Sequence, residues 1–274
     1  MLSRRRFLAA SIAIPASAVQ PHVDDGSHRD IICKCPRVAD VKTGFIELDD
    51  LSGGFSPGTL TVMAGRPSVG KTTLACEIAL YGALIERQPL LYCCLDESPE
   101  AIPGRMACSE AHVDRDRYRC GRLTDEEMKR LREAEKRIAE APIYVRRARD
   151  LTTILESARR YQRDHGARLV VVDGVETLAW REPEMQKACL DAVARHLKNL
   201  AIDLKMPVLA LVRTTEPLES RPTLKDVPGK GLVEAADSVW LLNREEGGEI
   251  GVNVALHRGD RTGRMTLGSI WGLV

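Results

Sequence analysis

Aromatic side chains are scarce, at 4% of the 274 residues, which leaves little material for base-stacking platforms of the single-strand-binding kind. A charge excess is missing too. Forty basic residues face 39 acidic ones for a net charge of +1, so no overall electrostatic footprint points to nucleic acid or to an anionic membrane. Any such partner must be met by a local patch, chiefly through phosphate contacts. No apolar run reaches the ~20 residues that a spanning helix needs, and a membrane is not an expected partner. Cysteine occurs eight times, but no two form a C-x-x-C pair with zinc-site spacing, which argues against a metal cluster. Cys93 and Cys94 sit in the apolar run Leu90 to Leu95 and read as buried thiols of a reducing compartment. What is present is a 44% hydrophobic content, enough for one large core with a short extension.

Residues 1–40 show neither a helical nor a strand period and read as extension and linker, which leaves 41–274 as the folded domain. Within the extension, Ser3-Arg4-Arg5-Arg6-Phe7-Leu8 and the small apolar stretch Ala9 to Ala18 look like a twin-arginine export signal, interrupted by Pro15. From Thr43 onward, strand-length apolar runs at Thr59 to Ala64, Leu90 to Leu95, Leu169 to Asp173, Val208 to Val212 and Ser238 to Leu242 alternate with amphipathic stretches. That alternation predicts βαβ units, an α/β fold with a mostly parallel sheet covered by helices on both faces. Thr124-Asp125-Glu126-Glu127 reads as a capping box that opens a helix stopped by Pro142. Met185 to Leu204 carries one apolar stripe and predicts a second helix.

The chemistry concentrates at Gly65-Arg66-Pro67-Ser68-Val69-Gly70-Lys71-Thr72, a G-x-x-x-x-G-K-[ST] loop between a β-branched run and the helical stretch opened by Thr73. Its glycines let backbone N–H groups converge on a phosphate at a helix N-terminus. Lys71 would bridge the β- and γ-phosphates of ATP, and the Thr72 hydroxyl would reach Mg²⁺. A second magnesium carboxylate should end a buried strand, and Asp173 does so after Leu169-Val170-Val171-Val172. Hydrolysis also needs a group to orient or deprotonate water. Asp96 and Glu97, at the end of the strand after the loop's helix, both qualify.

Further short blocks accompany these residues in order: Thr43-Gly44-Phe45 with Leu48-Asp49, Gly53-Gly54, Pro57-Gly58, Leu95-Asp96, Ser109-Glu110-Ala111 and Gly121-Arg122-Leu123. Val171-Val172-Asp173, Pro207 to Leu211, Arg221-Pro222, and Arg258 with Thr262-Gly263 follow. With them the chain from Thr43 to Gly263 resembles the C-terminal motor domain of DnaB-type replicative helicases. The resemblance implies a RecA-like fold, ATP and magnesium, a ring of usually six subunits with nucleotide at their interfaces, and translocation on single-stranded DNA. Replisome proteins are the further partners it implies. By the same resemblance Asp96 stands at the catalytic glutamate, Arg213 at the glutamine that senses the γ-phosphate, and Arg258 at the arginine finger that reaches a neighbouring subunit's nucleotide.

The chain departs from that pattern in several places. Asp96 is one methylene shorter than glutamate, Leu256 replaces a lysine two residues before the finger, and the segment after Asp173 is shortened. Residues Asp226 to Asp237 match the family's DNA loop poorly, and the helical domain that makes the collar and meets primase has no counterpart. Arginines gather at Arg115, Arg117, Arg119 and Arg122, at Arg146, Arg147 and Arg149, and at Arg258, Arg261 and Arg264, patterns that suit solvated or intersubunit faces as well as DNA. Two rival expectations therefore stand beside a helicase motor: an ATP-binding switch without unwinding, and a RecA-type recombination mediator. A need for ATP favours the cytoplasm, with export through residues 3–18 as the alternative.

Overall fold

The computed structural model describes residues 41–179, 183–215, 221–245, 247–259 and 261–267, with the backbone alone at 183–187. The expected extension of residues 1–40, with its twin-arginine-like segment, Cys33 and Cys35, lies outside the described residues.

Among the described residues eight strands form one sheet: β1 (Leu60–Gly65), β2 (Leu90–Cys94), β3 (Ile143–Arg147), β4 (Leu169–Asp173), β5 (Val208–Arg213), β6 (Ser238–Arg244), β7 (Ile250–His257) and β8 (Gly263–Leu267). Their spatial order is β3-β2-β4-β5-β1-β6-β7-β8. Pairings from β3 through β6 are parallel, and β7 and β8 add two antiparallel strands at one edge. The helices are α1 (Ile46–Ser52), α2 (Lys71–Leu80), α3 (Ala101–Ala111), α4 (Arg115–Arg119), α5 (Asp125–Ala139), α6 (Leu151–His165), α7 (Pro183–Leu204) and α8 (Lys230–Ala235).

The central strands are apolar throughout because both faces are covered. Side chains alternate along a strand, so Met63, Tyr92, Val171, Leu209 and Trp240 enter one core with α2, α3 and α5. Their neighbours Val62, Leu91, Val172, Ala210 and Val239 enter the other core with α6, α7 and α8. In the first core Trp240 packs against Phe55 with ring centroids 5.4 Å apart, and its indole N–H donates to Ser238 Oγ at 2.9 Å. Helix α2 is buried around nearly its whole circumference, as expected of a helix held between the sheet and a further helical layer.

The capping box is present: the Thr124 side chain accepts from the Glu127 N–H and Glu127 accepts from the Thr124 N–H. Helix α5 ends at Ala139, before Pro142, and the second expected helix runs from Pro183 to Leu204. Strands β3, β7 and β8 and helices α1, α3, α4, α6 and α8 are added to the five strands and three helices read from the sequence.

Register decides what meets what. Gly65 of β1 pairs with Arg213 of β5, Asp173 of β4 with Leu211, and Cys94 of β2 with Asp173. The ends of four separately encoded strands thereby converge at the carboxyl edge of the parallel sheet, where open α/β sheets bind ligands. Strand β7 runs the other way, and its terminal His257 pairs with Ser238 at the start of β6.

Candidate functional site

The loop from Gly65 to Gly70 turns out of β1 and into α2. Gly70 has φ +112° and Ser68 φ +61°, left-handed conformations that let successive N–H groups face inward. Gly65 is required by crowding: a Cβ there would stand 2.9 Å from the Leu242 carbonyl oxygen and 3.0 Å from Val69 Cγ1. Pro67 and Ser68 are exposed, Arg66 and Thr72 are half-buried, and Val69, Gly70, Lys71 and Thr73 are buried. The Lys71 ammonium donates to the Gly65 carbonyl at 2.7 Å and to the Arg66 carbonyl at 2.8 Å. It thus lies curled against its own loop.

Thr72 and Asp173, 101 residues apart in sequence, are brought near enough for the Thr72 side chain to favour the ionised Asp173 carboxylate. Asp173 accepts from the buried Tyr92 hydroxyl at 2.8 Å. Burial pushes the Asp173 carboxyl above its ordinary range, and the Tyr92 hydrogen bond, the Thr72 side chain and the charge of Lys71 act against that rise.

Asp96 and Glu97 diverge. Asp96 accepts from Arg213 Nη2 at 2.5 Å, so two residues placed by resemblance at the catalytic and sensing positions meet each other. Glu97 is instead gripped through both oxygens by Arg105 of α3, with Nε donating at 3.0 Å and Nη2 to the other oxygen. Burial raises the pKa of the Glu176 carboxyl, which pairs with the same Arg213, Nε–Oε1 at 2.9 Å.

Arg258 is not part of this assembly. Its backbone N–H donates to the Asp237 carbonyl at 2.9 Å, while its guanidinium donates to the Glu234 carbonyl at 2.9 Å and the Ala236 carbonyl at 3.2 Å. These acceptors lie at the end of α8, at the edge of the sheet opposite the loop. Three polar participants escaped the sequence reading: Tyr92, Arg105 and Glu176. Only Glu176 left a trace, as an acid three residues past a strand-tip carboxylate.

A loop of this construction at the carboxyl edge of such a sheet places the chain in the RecA-like P-loop class. Solved structures agree on the fold: a DnaB-like replicative helicase studied with its primase interactions superposes with a TM-score of 0.79 at 22% identity, covering 86% of this chain and 61% of that one. A chain described as an ATPase domain gives 0.78 at 22% identity, covering 87% and 90%. The chain belongs to the DnaB-like helicase C-terminal domain family, whose pattern it matches over residues 40–268. Among relatives, the replicative DNA helicase DnaB of Leifsonia xyli is 31% identical over 238 residues, 81% of this chain and 52% of that protein. The DnaB of Geobacillus stearothermophilus is 30% identical over 218 residues, 76% and 48%. The chain therefore spans about half the length of these relatives. No helix among the described residues is long and apolar enough to cross a membrane.

Proposed function

We propose that residues 41–274 form an ATP-hydrolysing motor of DnaB helicase type, which acts on single-stranded DNA as a homo-oligomeric ring in the cytoplasm, with replisome proteins as partners. The observation that carries this reading is the convergence of Thr72 and Lys71, from the loop's end, on Asp173 at the tip of β4. It joins the loop's hydroxyl to the strand-tip carboxylate, two hard oxygen donors that suit magnesium, an ion that completes its shell with waters and substrate phosphates. Thr72 and Asp173 would hold that ion, which neutralises charge on the phosphates when bound.

The protein's own residues do the rest. The loop amides receive the β-phosphate, and Lys71 exchanges the Gly65 and Arg66 carbonyls for phosphate oxygens. Asp96 orients the attacking water and accepts its proton, Arg213 meets the γ-phosphate, and Arg258 of one subunit serves the nucleotide of the next. Tyr92 fixes one Asp173 oxygen, which leaves the other free of that bond for the ion. Removing such an outer partner typically weakens metal affinity by about 10-fold or more. Tyr92→Phe should accordingly raise the magnesium concentration needed for half-maximal ATP binding by about that factor, with the fold intact; an unshifted titration would deny Tyr92 this role.

The test of the hydrolytic reading is Asp96→Asn. Because the carboxylate acts on water and not on ground-state nucleotide, ATP affinity should persist while turnover falls by roughly 100-fold or more. Equal turnover in mutant and wild type would remove Asp96 from the mechanism, and a larger effect of Glu97→Gln would move the role one residue along. The second reading, an ATP-binding switch, is favoured by one feature: Asp96 and Glu97 are each engaged by an arginine. ATP binding without measurable turnover by the wild-type chain would select it.

A further inference from the structure

Glu176 has no part in the chemistry described so far, and its surroundings make its placement costly. Its side chain is 15% exposed, and a carboxylate so buried is tolerated only when paired and hydrogen-bonded. Arg213 supplies both requirements. One Glu176 oxygen forms an ion pair with Arg213 Nε at 2.9 Å, and the other accepts from the Arg213 backbone N–H at 3.3 Å. A single carboxylate therefore grips this residue at its main chain and near the root of its guanidinium.

Arg213 Nη2 is taken by Asp96, and among the described residues no contact engages Nη1. Gly174 makes this closeness attainable. It has φ +94°, and a Cβ there would stand 3.0 Å from Asp96 Cγ, so the turn carrying Glu176 and the strand end carrying Asp96 touch only because a side chain is absent between them. The result is two carboxylates sharing one guanidinium, a cluster with net negative charge that draws Arg213 toward Asp96 until a stronger anion arrives.

We propose that Glu176 is a positioning residue that holds Arg213 between Asp96 and the γ-phosphate of bound ATP, so that recognising the γ-phosphate and releasing Asp96 are one movement of one guanidinium. The proposal rests on the ATPase reading above. The tether at Nε and at the main chain keeps the guanidinium within reach of both anions, while the outer nitrogens change partner. A γ-phosphate carries more charge than Asp96 and accepts charge-assisted bonds from the same fork. ADP offers no such competitor, and in its presence Asp96 stays paired.

The experiment compares affinities of the full chain for a non-hydrolysable ATP analogue and for ADP, both with magnesium, by fluorescence titration. Wild type should prefer the analogue. Glu176→Gln should lower that preference by about tenfold through the analogue alone, since one charge-assisted contact on Arg213 is lost, and ADP affinity should hold. Arg213→Ala should lower it at least as far, and the double variant should match Arg213→Ala, because Glu176 acts only through Arg213. Glu176→Asp, which keeps the charge but not the double reach, should fall between wild type and Glu176→Gln. An unchanged preference in Glu176→Gln, equal losses for both nucleotides in Glu176→Gln and Glu176→Asp, or additive losses in the double variant would overturn the proposal. Failure of the wild-type chain to bind either nucleotide would instead overturn the ATPase reading beneath it.

Discussion

Lys71→Ala is expected to abolish tight ATP binding and turnover while leaving the protein folded. The ammonium is held at the mouth of the loop by the Gly65 and Arg66 carbonyls at 2.7 and 2.8 Å, one short movement from where the loop amides would cradle phosphate. Removing it takes away the only positive charge that α2 contributes, and the β-phosphate is then left to the loop amides and the helix end. Loss of one preorganised group of this kind costs roughly 10²- to 10³-fold in turnover, and the expected loss here is at the upper end because ground-state binding suffers too. Nucleotide titration and turnover of the purified variant, with a melting curve as control, check this. Unchanged turnover in a folded variant would remove the P-loop assignment altogether.

Arg258→Ala should also suppress turnover, for a reason that depends on assembly. Within one chain Arg258 and the loop lie at opposite edges of the sheet: Ser238, beside the end of β7, pairs with Thr61, whereas Gly65 pairs with Leu242. Those four steps along β1 span on the order of 13 Å, farther than an arginine side chain can bridge around the sheet. Arg258 can therefore serve only a neighbour's nucleotide. The rival role is local, since its guanidinium caps the last carbonyls of α8, and losing such bonds costs about 1 kcal/mol of stability. The two roles separate cleanly. A finger predicts a turnover loss of ~10³-fold with ATP binding little changed; a cap predicts a lowered melting temperature with turnover intact. Mixing Arg258→Ala chains with Lys71→Ala chains should restore part of the activity, because some interfaces then join an intact loop to an intact finger. No recovery in mixtures shown to co-assemble would count against a shared site.

Local chemistry was legible in the sequence and register was not. The Gly65 to Thr72 loop is eight consecutive residues whose roles depend on their own backbone, and the run Leu169 to Asp173 announces a buried strand because both of its faces must be apolar. The α5 capping box is equally local. By contrast β3, Ile143–Arg147, is an edge strand ending in two arginines, and its pattern reads as loop. Helix α6 carries a local signal at its start: Asp150 accepts from the Thr153 N–H at 2.7 Å, an N-cap. The environments of Tyr92 and Glu176 follow from the pairing of β2, β4 and β5, which brings Cys94, Asp173 and Leu211 side by side. No spacing along the chain encodes that. Resemblance placed Asp96 and Arg213 individually, but their mutual pairing is a consequence of the fold.

ATP turnover by the purified full chain with magnesium, measured with and without single-stranded DNA, tests the motor reading most directly. Hydrolysis should be measurable, rise several-fold when the DNA is added and disappear in Lys71→Ala. A wild-type chain that binds ATP but shows no hydrolysis, with DNA or without it, would contradict the motor and leave the nucleotide switch.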